Sequence, residues 1–264
     1  EEGLFYALES SGRMKRIITE AEVIHALQQP PTSTRAYLRG KCVQKFAKAV
    51  KTAQWDHMVL AHQRAYAVIH GVYQDQWRKK PEVGLAQNIP YYVPCSCHSL
   101  LDRVSVFVRD FLSVLCFFDG LVNGEMHLPG VLREKLPWKK TLDFIGLNYY
   151  TREFVNFTGW GFPKVLGERC TKIHHRDIAY RNEMGWENYP EGFFKVLMRL
   201  KRFKLPVMVT ENGTCSGEDD RRWDFTRLHL EALARAMRSG VPVIGYLYWS
   251  LIDNFEWARG FSPR

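Results

Sequence analysis

Apolar positions along the chain follow two alternating rhythms. Short runs rich in β-branched, leucine and aromatic residues fall at Met14–Thr19, Val83–Asn88, Leu142–Asn148, Pro206–Thr210 and Val243–Trp249, and each reads as a strand. Between them the spacing changes to three and four. Leu101, Val104, Val108, Phe111 and Leu115 form one stripe of an amphipathic helix. A second helix spans Trp223 to Arg238 with Leu230, Leu233 and Met237 on one stripe, and Ser239-Gly240 followed by Pro242 stops it. Strands alternating with helices predict parallel βαβ units. Five strands are legible, fewer than the eight of a closed (β/α)8 barrel. No repeat, low-complexity tract or Pro/Gly/Ser-rich linker divides the chain, so residues 1–264 read as one domain.

Composition narrows the class. At 264 residues the chain has the length of an ordinary barrel, about 250 residues. With 46 % hydrophobic and 25 % charged residues, wholesale disorder is excluded. The greasiest run, Phe111 to Phe118, is interrupted by Ser113 and is far short of the ~18 residues of a membrane span. Glu1-Glu2-Gly3 is no signal-peptide start, and the chain reads as cut at that end. The formal charge is +9, but the bases are scattered, with only Arg78-Lys79-Lys80 and Lys139-Lys140 as short clusters. Without a basic and aromatic stripe this reads as a solvated surface, with neither nucleic acid nor membrane as partner. The six cysteines form no CxxC pair and suit reduced thiols in a cytoplasmic protein, not a disulfide framework or zinc site. His174-His175 sits among Lys172, Arg176 and Asp177 and reads as a solvated loop, since adjacent histidines point apart and no second cluster supplies further metal ligands. Asn156-Phe157-Thr158 matches a glycosylation acceptor but carries no weight without evidence of secretion.

Barrel chemistry is placed where a strand meets its following loop. Those positions hold Glu22, Asn148-Tyr149-Tyr150, Glu211-Asn212-Gly213 and Trp249-Ser250. Carboxylates, tyrosines and a tryptophan gathered at one end of a sheet suit a sugar, because aromatic faces stack on pyranose C–H groups and carboxylates do acid/base work. In Pro206–Gly213 a buried strand delivers a carboxylate at its end, and Asn-Gly reads as the tight exit. Trp249 to Trp257 brackets Asp253, Asn254 and Glu256 between two tryptophans, an arrangement hard to explain as core.

These residues together resemble glycoside hydrolase family 1, the retaining β-glucosidases and β-galactosidases. Val209-Thr-Glu211-Asn-Gly213 is similar to the family's nucleophile motif. Trp249–Trp257 with Gly260-Phe-Ser-Pro-Arg264, Asp143–Tyr150, and Met184–Gly192 resemble further signatures in family order. So do Ala61-His62 with Ala65-Tyr66, and Val83-Gly84-Leu85. The resemblance implies a (β/α)8 barrel represented here by strands four to eight only, the three preceding strands having no counterpart. It implies no metal or organic cofactor, a small β-glycoside or oligosaccharide as substrate, and a complementing N-terminal barrel segment or an oligomer as partner. Glu211 would be the nucleophile and Glu22 the acid/base, in Thr19-Glu-Ala21-Glu22-Val23. There Ala21 replaces the family's asparagine and Val23 its proline. Retention predicts a separation of about 5–5.5 Å between the two carboxyl groups. Tyr150 would hold Glu211, Asn148 would line the same wall, and Glu256 would accept sugar hydroxyls. The Trp257 indole would donate, Trp249 would form a stacking floor, Phe261 would close the far side and Trp186 would face the leaving group. The missing strands and the altered acid/base motif leave a second reading open, an impaired relative that binds sugar or protein.

Overall fold

Four of the five strands read from the sequence stand side by side in one parallel sheet. The fifth, Met14–Thr19, lies outside the residues that the computed structural model describes, which are 55–128, 132–161, 163–170, 181–256 and 259–262. In chain order the elements are α1 (Trp55–Trp77), β1 (Gly84–Asn88), β2 (Tyr91–Pro94), α2 (Leu100–Asp110), a π-helical segment (Phe111–Cys116), α3 (Phe117–Asn123), β3 (Glu125–Leu128) and β4 (Leu132–Lys135). There follow β5 (Phe144–Asn148), β6 (Arg152–Asn156), β7 (Glu168–Arg169), α4 (Pro190–Leu200), β8 (Val207–Asn212), α5 (Asp219–Arg238) and β9 (Val243–Tyr248).

The main sheet has the order β1-β5-β8-β9, all parallel. Each strand neighbours the next main-sheet strand in the chain, with helices between, which is how consecutive staves of a (β/α) barrel are laid. Among the described residues β1 and β9 are its edges. Parallel strands covered by helices must be apolar on both faces, and Ile145, Leu147, Val207 and Val209 are fully buried. They pack with Phe193, Val196, Leu197 and Leu200 of α4, Ala232, Leu233 and Ala236 of α5, and Phe117, Phe118 and Leu121 of α3. Burial of each large apolar side chain contributes roughly 1.5–3 kcal/mol.

Beyond the main sheet, the β1–β5 ladder resumes as the parallel pair β2–β6, with the antiparallel β7 added to β6. At the opposite end, α1 is tied to the start of β5. His62 donates to the Thr141 carbonyl at 2.7 Å, and Asp143 accepts from the Val83 N–H, the Tyr66 hydroxyl and His70. Burial pushes the Asp143 carboxyl up, but the Val83 amide, the tyrosine hydroxyl and the histidine outweigh it and hold it below the usual range.

The two helical stripes need correction. In α2 the buried face is polar: Asp102, Ser105, Arg109 and Asp110 are buried while Leu101 and Phe107 are exposed. Asp102 accepts from the Ser96 and Phe157 amides, and Arg109 donates to the Leu166 and Gly167 carbonyls. That helix face therefore ties down loops instead of entering the core. The π-helical segment adds residues per turn and swings the apolar side inward, so Leu112, Val114, Cys116, Phe117 and Phe118 are buried. In α5, Leu230 and Met237 are exposed, and the inward face is Phe225, His229, Ala232, Leu233 and Ala236.

Candidate active site

The ends of β5 and β8 meet in one bonded wall. β5 is followed by two tyrosines that point to opposite sides, as alternation along an extended chain requires. Tyr149 is fully buried, its hydroxyl donating to the Tyr189 carbonyl at 2.8 Å, so it belongs to the core and not to the expected sugar-facing set. Burial holds that hydroxyl neutral, its pKa well above the ordinary value. Tyr150 faces the other way and its hydroxyl donates to Glu211 Oε2. The backbone fixes the pair as well, because the Tyr149 amide donates to the Glu211 carbonyl at 2.9 Å. Asn148 lies on the same wall, buried, and accepts from the Thr210 hydroxyl at 2.5 Å.

Asn212 and Gly213, read as a tight exit, do something else. β8 runs on through Asn212, whose fully buried amide donates to the Tyr149 carbonyl at 2.6 Å and accepts from the Tyr246 hydroxyl at 2.9 Å. It thus joins β5, β8 and β9 directly beside Glu211. Gly213 does not turn the chain with a positive φ. It lets another backbone in: a Cβ there would lie 1.7 Å from the Trp249 carbonyl oxygen. The Trp249 amide donates to the Asn212 carbonyl at 3.1 Å, which brings the segment after β9 against the segment after β8.

That segment is far more open. Trp249 is 39 % exposed and begins it with a cis peptide bond to Ser250. Leu251 is 95 % exposed and Phe261 74 %, the latter touching Phe255 edge-on at 5.2 Å between ring centroids. Asp253 lies 3.6 Å from Arg222 of α5, and the Glu256 amide donates to the Gly260 carbonyl. Partial burial raises the Glu256 carboxyl above its ordinary pKa. Glu22 and Trp257 lie outside the described residues, as does the expected spacing of Glu22 from Glu211.

Sequence reading missed the supports of Trp186. Its ring lies against Tyr150, 4.9 Å between centroids, and its amide donates to Asn182 Oδ1 at 2.8 Å. Asn182 reaches on to the Thr214 hydroxyl, and the neighbouring Glu187 accepts two hydrogen bonds from the Arg152 guanidinium at 2.7 and 2.9 Å. Only the Met184–Gly192 motif hinted at this segment. Among the described residues no three His, Cys, Asp or Glu side chains converge to hold a metal ion, and no helix is long and apolar enough to cross a membrane.

The model of glycosyl hydrolase family 1 matches residues 12–264. A β-galactosidase of Sulfolobus acidocaldarius is 36 % identical over 220 residues, covering 80 % of this chain and 42 % of the relative. The chloroplastic galactolipid galactosyltransferase SFR2 of Arabidopsis thaliana is 34 % identical over 78 % of this chain and 28 % of its own length. Among solved structures, a β-glycosidase from Pyrococcus horikoshii superposes with a TM-score of 0.68 at 32 % identity, covering 83 % of this chain and 48 % of that one. The chain thus spans at most about half the length of these relatives.

Proposed function

The chain belongs to glycosyl hydrolase family 1, with part of a (β/α)8 barrel, and on that premise we propose that it carries one wall of a retaining β-glycosidase site acting on β-glucosides or β-galactosides. The observation that supports this most directly is the Tyr150 hydroxyl donating to the Glu211 carboxylate at the end of β8. A hydrogen bond to the charged form keeps a carboxylate ionised and aimed, as a nucleophile needs.

In the proposed reaction Glu211 attacks the anomeric carbon while Glu22 protonates the departing glycosidic oxygen, forming a glycosyl-enzyme ester. Glu22, now a carboxylate, takes a proton from water, which attacks the same carbon and frees Glu211. Asn148 lines the nucleophile's wall. Trp249 is the stacking floor, Glu256 and Trp257 engage the sugar's hydroxyls, and Phe261 closes the far side. Residues 1–264 act as a single catalytic-type domain, and no metal or organic cofactor enters either step. The name of the Arabidopsis relative is that of a transferase, so an acceptor alcohol in place of water is part of the test.

Incubation with a 2-deoxy-2-fluoro-β-glucoside carrying a dinitrophenyl leaving group tests the nucleophile without demanding acid assistance. The expected result is a one-to-one mass adduct on Glu211, absent in Glu211→Gln. Release of that adduct by an added alcohol faster than by water would assign transfer. Folded protein that forms no adduct overturns the enzymatic reading. The binding reading, favoured by Ala21 and Val23 in the acid/base motif, then predicts saturable quenching of tryptophan emission by glucose or galactose.

A further inference from the structure

The segment 181–189 carries Trp186 to the side of Tyr150 with little regular structure of its own, only the isolated bridge Arg181↔Glu187. Side chains fix it at two points, one on each side of Trp186. On one side Glu187 and Arg152 meet in a two-bond fork, each side chain only 10 % exposed. The Arg152 guanidinium is further held between the Tyr189 ring at 4.1 Å and the Phe154 ring at 4.7 Å. The Glu187 backbone closes the contact, its amide and its carbonyl each 3.0 Å from the Thr151 hydroxyl. Thr151 and Arg152 directly follow Tyr150 in the chain. On the other side the Asn182 carbonyl oxygen gathers the Met184 and Trp186 amides, and its amide donates to the Thr214 hydroxyl at 3.0 Å. Thr214 belongs to the segment that follows Glu211.

Trp186 is therefore held between the link from β5 to β6 that bears Tyr150 and the loop that follows the nucleophile. Burying a charged pair costs desolvation that its attraction only partly returns, and an apolar pair of similar volume often serves stability as well. What an apolar pair lacks is direction. A planar guanidinium meeting both carboxylate oxygens fixes position and angle together. We propose that Arg152, Glu187 and Asn182 are positioning residues for the nucleophile: they set the 181–189 segment so that Trp186 braces the Tyr150 ring in the one orientation that donates to Glu211. The inference rests on the reading of Glu211 as nucleophile and deepens it by naming what aims its partner.

The test is a carbon-13 carboxyl NMR titration of Glu211 in the full chain, the signal assigned by its loss in Glu211→Gln. Glu187→Gln keeps volume but breaks the charged fork, and Arg152→Lys keeps charge but lacks the planar fork that meets both carboxylate oxygens in parallel. In both, a loosened Tyr150 donor raises the Glu211 titration midpoint above that of the wild-type chain. Arg235→Ala removes the exposed ion pair to Glu191 of α4 and leaves that midpoint unmoved. If Glu187→Gln does not fold, Arg152→Lys decides alone. A lowered urea midpoint with an unchanged Glu211 titration makes the fork merely structural and overturns the proposal. Fluoroglycoside labelling of the wild-type chain is read beside it. No label with a shifted titration removes the glycosidase reading alone and leaves the positioning role standing.

Discussion

The two walls of the candidate site are built by different means. At the β5–β8 seam, Asn148, Tyr150, Glu211 and Asn212 are tied to strands by side-chain bonds, and a packed core with Tyr149, Phe193 and His229 lies behind them. The segment after β9 begins from the same sheet, yet Leu251, Ile252, Phe255 and Phe261 are exposed. Both offer aromatic and acidic groups. Only the first is fixed by the protein's own contacts, because buried polar groups bonded on several sides cannot drift without leaving a partner unsatisfied. A nucleophile needs fixed geometry within tenths of an ångström. A stacking surface tolerates more movement, so its share of order can come with the ligand.

The contrast can be broken most forcefully where the walls touch. Gly213→Ala drives a Cβ into the Trp249 carbonyl and should destabilise the fold by about 3 kcal/mol or uncouple the β9 segment outright. Urea denaturation read by tryptophan emission checks this, and an unchanged midpoint would show that the two segments are not truly apposed. Asn212→Ala leaves the Tyr149 carbonyl and the Tyr246 hydroxyl without their buried partner and should cost about 2 kcal/mol. Asn212→Asp, which keeps only the acceptor, should also be destabilised.

Acid probes the packed wall through one buried histidine. His229 of α5 stacks on Phe225 and is buried with its Nε2 unpartnered; burial lowers its pKa to about 4, opposed by its bond to the Phe225 carbonyl. The folded state thus binds its proton later than the unfolded chain, whose histidine titrates near 6.5. Its stabilising contribution is complete above pH 6.5 and is lost as pH falls from there towards 4, by up to about 2 kcal/mol at pH 5. His229→Phe should flatten that part of the urea-midpoint profile, while equal acid sensitivity in the variant would place the effect elsewhere. The smallest effect belongs to the open wall. Phe261→Ala should change stability by less than about 0.5 kcal/mol yet weaken sugar-dependent quenching. A large loss of stability would mean that the segment is packed more tightly than its exposure indicates.

The main sheet was legible because its strands are apolar on both faces and bounded by turn residues: Pro206–Thr210 became Val207–Asn212, and Val243–Trp249 became Val243–Tyr248. Periodicity failed where polar side chains do structural service. It assigned α2 an apolar inward face, whereas Asp102 and Arg109 are buried to satisfy loop amides and carbonyls. It passed over α1, whose apolar residues are diluted by a histidine and a tyrosine that bond to the residues leading into β5 and by a glutamine that donates to the Gly120 and Trp138 carbonyls. At the site, the strand ends legible in the sequence bring Glu211, Tyr150 and Asn148 to one wall. Tyr149 turns into the core instead, since two adjacent tyrosines look alike until the pleat assigns them faces. Asn182 and Glu187 carried no chemical signature, because their role lies in what they hold.

The alternation at Tyr149 and Tyr150 has a consequence for how this chain can vary. From Phe144 to Asn156 the polypeptide is nearly continuous extended chain, paired first with β1 and then with β2. Inserting one residue between Asn148 and Tyr149 would trade the two tyrosines, sending the hydroxyl that bonds Glu211 into the core and the core anchor to the opposite face. It would also turn Arg152 away from Glu187. The stretch therefore behaves as a reading frame: substitutions can be absorbed one at a time, but a change of length rewrites every residue beyond it, and the connecting loops are where length is free to drift.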